Sequence, residues 1–182
     1  MCGIIGYTGQ RPAGPILLES LSRLEYRGYD SAGFGVLNDR GFVVNKEVGR
    51  VAVLESRSSE VQDAKIGIAH TRWATHGQPT QINAHPHVSQ DGRFMIVHNG
   101  IIENYAVLRE YLSKHGIKFK SDTDSEVIAQ LIAHEYKNNT MQAVREALSR
   151  LKGTFGLLIL DREDPGSLVA VRQGSPLVIG IG

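Results

Sequence analysis

The chain has 182 residues, and its 20 basic and 19 acidic side chains leave a formal net charge of +1. The two signs are mixed along its length, so there is no basic stripe for nucleic acid and no polybasic patch for a membrane surface. One cysteine excludes an internal disulfide framework and fits a reducing compartment. No apolar run approaches the ~18 residues that cross a bilayer, and no charged segment followed by an apolar one opens the chain; a soluble cytoplasmic protein of one domain is expected.

Cys2-Gly3-Ile4-Ile5-Gly6-Tyr7 reads as a short buried strand, followed by the turn-rich Thr8 to Pro12. Cys2 lies one peptide bond from the amino terminus. With Met1 removed, it carries a thiol (ordinary pKa about 8.5) and an α-amine (about 7.7 to 8.0) on one carbon. An amine titrating near neutrality can take the thiol proton and return it to a leaving group, so nucleophile and base share one residue. The glycines at 3, 6 and 9 do not have the spacing that opens a dinucleotide fold.

Pro15 starts a helix with Leu17, Leu21 and Leu24 on one face, and Tyr26 to Ser31 forms a polar loop. Ala32 to Leu37 and Phe42 to Lys46 flank Asn38-Asp39-Arg40-Gly41 and read as a hairpin. Ile66 to Ala69 reads as a central strand that delivers the dense polar run His70 to Gly77, the kind of strand exit where sites are built. After a loop from Gln78 to Gly92, Phe94 to Val97 is a further strand, with His98-Asn99-Gly100 at its exit. Three helices follow, Asn104 to His115 with Gly116 as its C-cap, Asp124 to Tyr136, and Met141 to Leu151. Thr123 to Glu126 has the form of a capping box, which puts Asp124 in a first helical turn. Strands are expected at Phe155 to Leu160, Leu168 to Val171 and Leu177 to Ile181. Strands in hairpins with helices grouped between them argue for layered α/β packing with largely antiparallel sheets. The chain closes on Gly180-Ile181-Gly182 with no polar tail, which reads as a cut within a larger unit.

Cys-Gly-Ile at the N-terminus, Tyr26 to Gly33, His70 to Gly77, Asn83-Ala84-His85-Pro86-His87 and His98-Asn99-Gly100 together resemble the glutaminase domains of the glucosamine-6-phosphate synthase family, the glutamine:fructose-6-phosphate amidotransferases of class II. The resemblance runs from Cys2 to Gly182. Phosphoribosylpyrophosphate amidotransferases are less similar, since they lack the Trp73-Ala74-Thr75-His76 run, and asparagine synthetases have a different arginine loop.

The resemblance implies an N-terminal-nucleophile hydrolase fold, a four-layer α-β-β-α sandwich, in one glutamine amidotransferase type 2 domain over residues 1–182. It implies that this domain is shortened at its C-terminal end and that the sugar-isomerising domains of the family lie outside the sequence. The implied reaction is hydrolysis of glutamine to glutamate and ammonia, with Cys2 attacking the side-chain amide to give a γ-glutamyl thioester. Asn99 and Gly100 match the donors to the oxyanion, a duty worth about 2.7 to 4 kcal/mol per donor. Arg72 matches the residue that takes the α-carboxylate, which its planar fork suits; Asp124 matches the one that takes the α-ammonium. Thr75 and His76 match pocket residues, and Trp73 matches the start of a loop that closes over glutamine. Arg27, with Asp30, is expected to brace the loop beside Cys2. No cofactor and no metal is implied; fructose 6-phosphate is a partner only through the further domains, and a homo-oligomeric parent is expected.

Plainer readings stand beside these. Arg72 also suits a surface ion pair, and Asp124 a helix-start charge favoured by the dipole. Asn99-Gly100 is also a common type I′ turn dipeptide. Five of the seven histidines fall between His70 and His98; a zinc site is disfavoured because no pair has helical i, i+4 spacing and there is no second cysteine, so they are expected to orient loops by hydrogen bonding. A retained Met1 would turn the amine of Cys2 into an amide, leaving a glutamine-binding module without turnover. A glutaminase serving another class II acceptor is the remaining alternative.

Overall fold

A computed structural model describes residues 2–56, 63–73 and 78–182. Eight strands form two four-stranded antiparallel sheets. In the first, β1 (Gly3–Thr8), β4 (Ile66–Arg72), β2 (Ser31–Asn38) and β3 (Gly41–Val48) lie side by side in that order; in the second, β5 (His87–Val88), β6 (Phe94–Ile102), β7 (Gly153–Asp161) and β8 (Leu168–Gln173) do. Helices α1 (Ala13–Leu24) and α2 (Val51–Glu55) cover the first sheet, and α3 (Tyr105–Lys114), α4 (Asp124–Glu135) and α5 (Thr140–Arg150) cover the second.

Side chains alternate between the faces of a strand, and here the alternation sorts them into three apolar layers. Phe34, Val36 and Ala69 pack with Leu17 and Leu21 of α1, while Leu37, Ile66 and Ile68 meet Met95, Val97, Leu158 and Leu160 between the sheets. Phe94, Ile96, Leu157 and Ile159 face the second helix layer, against Val127, Ile128, Leu131 and Val144. This is the four-layer α-β-β-α order expected from the sequence.

The same alternation places the polar residues. Ile4 belongs to the layer between the sheets, so Cys2, two residues earlier, comes from the same face of β1. Ile66 and Ile68 put His70 and Arg72 on that inner face of β4, and Met95 and Val97 put Asn99 on the inner face of β6. His98, one step out of phase, faces the helices and meets Ser125 of α4 (His98 Nδ1 to Ser125 Oγ, 2.8 Å). Strand periodicity thus gathers Cys2, Arg72 and Asn99 at one end of the space between the sheets.

Several sequence expectations are corrected. Helix α1 begins at Ala13, so Pro15 is its third residue, still in the first turn where a missing N–H costs no hydrogen bond. Strand β6 runs through His98-Asn99-Gly100 to Ile102, and those residues pair with Gly156 and its neighbours in β7 instead of leaving the sheet or forming a turn. Leu177 to Ile181 makes no strand: after β8 the chain turns at Gly174, with φ +76, and Val178, Ile179 and Ile181 are exposed. Their apolar pattern suits a strand, but a strand also needs a hydrogen-bonding neighbour. Helix α2, strand β5 and a 3₁₀ turn over Glu25–Arg27 are too short for periodicity to reveal. The Gly116 cap is present, with φ +86 just past α3. Among the described residues no helix is long and apolar enough to cross a membrane.

Candidate functional site

Cys2 sits just ahead of β1, whose first pair with β4 is Gly3 with Thr71. That register carries its sulfur past the end of β4, where the Trp73 amide donates to Sγ at 3.2 Å. The Cys2 carbonyl accepts from Asn99 Nδ2 at 2.9 Å, tying the residue to the second sheet as well. Burial pushes the Cys2 thiol up from its ordinary range, opposed by the Trp73 hydrogen bond. A thiol held protonated needs a base before it can attack.

The cleft beside this sulfur is lined by Cys2, Arg72, Trp73, Gly100, Thr123 and Asp124, together with His70, His85, His98 and Ser125. Arg72 is only 4% exposed, so it is not the surface charge that its plainer reading allowed, while Asp124, 5% exposed, does start α4 as its plainer reading had it. Arg72 Nη1 donates to the Gln78 carbonyl at 3.3 Å. Asp124 Oδ2 accepts the Ile102 amide at 2.9 Å, so it is held by β6 as well as by its own helix start. That start is half a capping box: Thr123 Oγ1 accepts from the Glu126 amide at 3.2 Å. The Glu126 carboxylate turns instead to the Ser121 amide and hydroxyl, both at 2.6 Å, and so braces the turn that delivers Asp124.

Gly100 has φ +147, and a Cβ there would lie 2.0 Å from the Thr154 carbonyl oxygen across the sheet. Only glycine fits this backbone beside the cleft. Gly100→Ala is expected to cost at least about 2 kcal/mol of stability and to displace the amide next to Cys2; a denaturant titration would expose the error if its midpoint stayed at the wild-type value. Gly28 answers a second close approach, since a Cβ there would stand 2.6 Å from the Arg72 carbonyl group. The loop from Tyr26 to Ser31 thereby lies along the end of β4, with the Asp30 amide donating to the Arg72 carbonyl at 3.2 Å. Tyr29 packs edge-on against Trp73 at 5.4 Å between ring centroids.

Arg27 and Asp30, the expected loop brace, each hold a neighbour in their own loop. Arg27 Nε donates to the Tyr26 hydroxyl at 3.1 Å, and Asp30 Oδ1 accepts from the Ser31 hydroxyl at 2.9 Å. Thr75, His76 and the possible loss of Met1 lie outside the described residues.

The histidines hydrogen-bond less than expected. His87 Nε2 meets Thr123 Oγ1 at 3.1 Å and His98 meets Ser125, but His70 and His85 stack face to face at 4.0 Å, with His87 edge-on to His85 at 4.7 Å. All four are buried, and burial lowers each pKa, His70 to about 3 and His98 to about 4. His70, His85 and His98 face the cleft as buried rings, and no group of three metal-ligating side chains occurs among the described residues.

The positioning residues Glu126 and Lys46 escaped the sequence reading. Lys46 Nζ donates to the Ala84 and Pro86 carbonyls at 2.8 and 3.3 Å, which fixes the loop before β5. The only sequence signal for either was a charge within an otherwise apolar or capping pattern, and such charges are usually solvated.

Residues 70–180 match the sequence model of a glutamine amidotransferase domain. Over the whole chain the sequence is 50% identical to a glutamine–fructose-6-phosphate aminotransferase (isomerizing) of Aquifex aeolicus and 51% identical to one of Clostridium acetobutylicum. The chain spans 31% and 30% of those two relatives, about a third of their length. Among solved structures, glutamine phosphoribosylpyrophosphate amidotransferase from B. subtilis, complexed with ADP and GMP, superposes with a TM-score of 0.78 at 26% identity, over 89% of this chain and 35% of that one. A class-II glutamine aminotransferase domain protein from Silicibacter pomeroyi shares the fold, with a TM-score of 0.65 at 20% identity over 98% and 79% of the two chains.

Proposed function

The chain belongs to the glutamine amidotransferase domain family, and on that premise we propose that it hydrolyses the side-chain amide of L-glutamine to glutamate and ammonia through a thioester on Cys2. The observation that carries this reading is that Cys2 shares one cleft with two buried, opposite charges, Arg72 and Asp124. Keeping both away from water is costly. A ligand carrying a carboxylate and an ammonium on one carbon offsets that cost at both ends, and it presents its side chain to the sulfur.

In the proposed reaction the α-amine of Cys2, freed by loss of Met1, takes the thiol proton as Sγ attacks the amide carbon. The oxyanion is met by the Gly100 N–H and by Asn99, whose amide has a second hydrogen beyond the one given to the Cys2 carbonyl. Collapse expels ammonia, which leaves with the proton carried by the amine, and the acyl group stays on sulfur. Water then adds to the thioester with the amine as base, releasing glutamate and restoring the thiol.

Trp73, Thr75 and His76 belong in this reading to the wall and cover of the glutamine pocket, and Arg27 to the loop that packs beside it. Residues 1–182 form one glutaminase domain. In a protein as long as its relatives, a sugar-isomerising part would pass the ammonia to fructose 6-phosphate; we place that protein in the cytoplasm as a homo-oligomer.

Intact mass before and after incubation with 6-diazo-5-oxo-norleucine tests the proposal. The expected result is a chain lacking one methionine that gains a single adduct on Cys2 and releases ammonia from glutamine. A chain of that mass with neither adduct nor ammonia release would refute it.

Arg72→Ala is expected to raise KM for glutamine at least tenfold while kcat changes much less, since its partner on the substrate does not react (on the order of 1.5–3 kcal/mol for a charged hydrogen bond). Steady-state ammonia release checks this, and an equal fall in kcat at constant KM would move Arg72 out of the binding role.

A further inference from the structure

Asn83 is buried at 3% exposure, and both ends of its side-chain amide are occupied. Nδ2 donates to the Gln78 carbonyl at 3.0 Å, and Oδ1 accepts from the Asp122 amide at 3.0 Å. The Gln78 carbonyl is also the acceptor for Arg72 Nη1, and Asp122 stands two residues before Asp124. One side chain therefore links the segment that holds the carboxylate clamp to the turn that holds the ammonium clamp.

Its own position is fixed independently. Lys46 Nζ grips the Ala84 and Pro86 carbonyls on the C-terminal side of Asn83, and Gln81 Nε2 donates to the Lys46 carbonyl at 2.7 Å on the N-terminal side. The loop carrying Asn83 is thus stapled to β3, outside the cleft.

We infer that Asn83 is a positioning residue that sets the spacing between Arg72 and Asp124 and thereby selects ligands that carry both an α-carboxylate and an α-ammonium. This inference rests on the glutaminase reading for the identity of the substrate. Without the Asn83 amide, the Gln78 segment and the Asp122 turn lose their common anchor. A ligand with one charged group can still dock on one clamp, but a ligand that must span both loses the fit.

The test compares glutamate with glutarate, which lacks the α-ammonium, by calorimetry on wild type, Asn83→Ala and Asn83→Asp. Asn83→Asp keeps the size and the acceptor for the Asp122 amide but sets an oxygen against the Gln78 carbonyl; it carries the test should Asn83→Ala not fold. Both variants are expected to weaken glutamate about tenfold, as for one lost hydrogen bond, with glutarate changed less than about threefold. KM for glutamine should rise about tenfold while kcat stays within about twofold of wild type, and iodoacetamide should alkylate Cys2 at the wild-type rate. Equal weakening of glutamate and glutarate, or a fall in kcat at unchanged KM, overturns the inference. Wild type that binds glutamate without hydrolysing glutamine would instead sink the glutaminase reading, and the glutamate-to-glutarate ratio would still decide the place of Asn83.

Discussion

Cys2→Ala is expected to bind glutamine with an affinity within a few-fold of wild type and to release ammonia at least about 10⁴-fold more slowly, the scale on which a covalent nucleophile acts. The substitution removes one sulfur and the hydrogen bond that the Trp73 amide gives it. Asn99 holds Cys2 through its carbonyl, not its side chain, and the register from Gly3 onward is set by backbone pairing with β4, so the cleft keeps its shape. Arg72 and Asp124, the groups proposed to grip the α-carbon, do not touch the sulfur through any bond described for them. Binding and chemistry therefore separate at this residue. Calorimetry with glutamine and an ammonia-release assay on the same preparation would read both, and residual turnover within about tenfold of wild type would remove Cys2 as the nucleophile. Cys2→Ser gives a second measure: its hydroxyl preserves the size of the side chain but is a far poorer nucleophile near neutral pH.

The layers of this fold were legible in the sequence wherever an apolar period ran long enough to be read. Leu17 and Leu21 on one helix face, and the apolar runs through Phe34 to Leu37 and Phe94 to Val97, mark a buried helix face and buried strands before any coordinates do. The candidate nucleophile stood out less by its place next to the chain start than by the motifs matched around it, from Tyr26 to Gly33, His70 to Gly77 and His98 to Gly100. What escaped were features whose cause is tertiary. Gly100 looks like half of a turn until β6 is seen to continue through it against Thr154 and Phe155. Leu177 to Ile181 looks like a strand until no neighbouring edge takes its hydrogen bonds. Asn83, Lys46 and Glu126 are polar residues in a loop, at a strand end and in a cap by sequence, and only folding shows that each braces a segment next to the cleft. Hydrogen bonds between residues distant in the chain leave no periodic trace.

Acid is expected to destabilise this protein steeply from about pH 6.5 downward, before most of its carboxylates are titrated. His70, His85, His87 and His98 are all buried, and burial is the largest cause lowering each pKa below the ordinary 6.5, to about 3 for His70 and about 4 for His98. For His85 and His87 neighbouring positive charges add to the effect, from Arg72 and, at His87, from Lys46; at His98, Asp124 works in the opposite direction. In the unfolded chain each imidazole takes a proton near 6.5, whereas in the folded chain it stays neutral until a much lower pH. Below about 6.5 the unfolded state therefore binds more protons, so stability is complete above that value and is lost as the pH falls toward the folded pKa values. Each histidine held neutral contributes a slope of about 1.4 kcal/mol per pH unit, so four acting together give about 5. Against a domain stability of roughly 5–15 kcal/mol, that places the acid midpoint between about pH 5.5 and 3.5. His85 is the residue to replace, because among the described residues neither ring nitrogen has a hydrogen-bond partner to lose and its ring is stacked on His70. His85→Phe keeps an aromatic ring there, removes one titrating group and should make the fall in stability shallower by about 1.4 kcal/mol per pH unit. Urea titrations from pH 7.5 to 4.5 on both proteins measure that slope directly. A wild-type stability that stays level down to pH 5 would mean that these histidines take protons in the folded state, contrary to their burial between and behind the sheets.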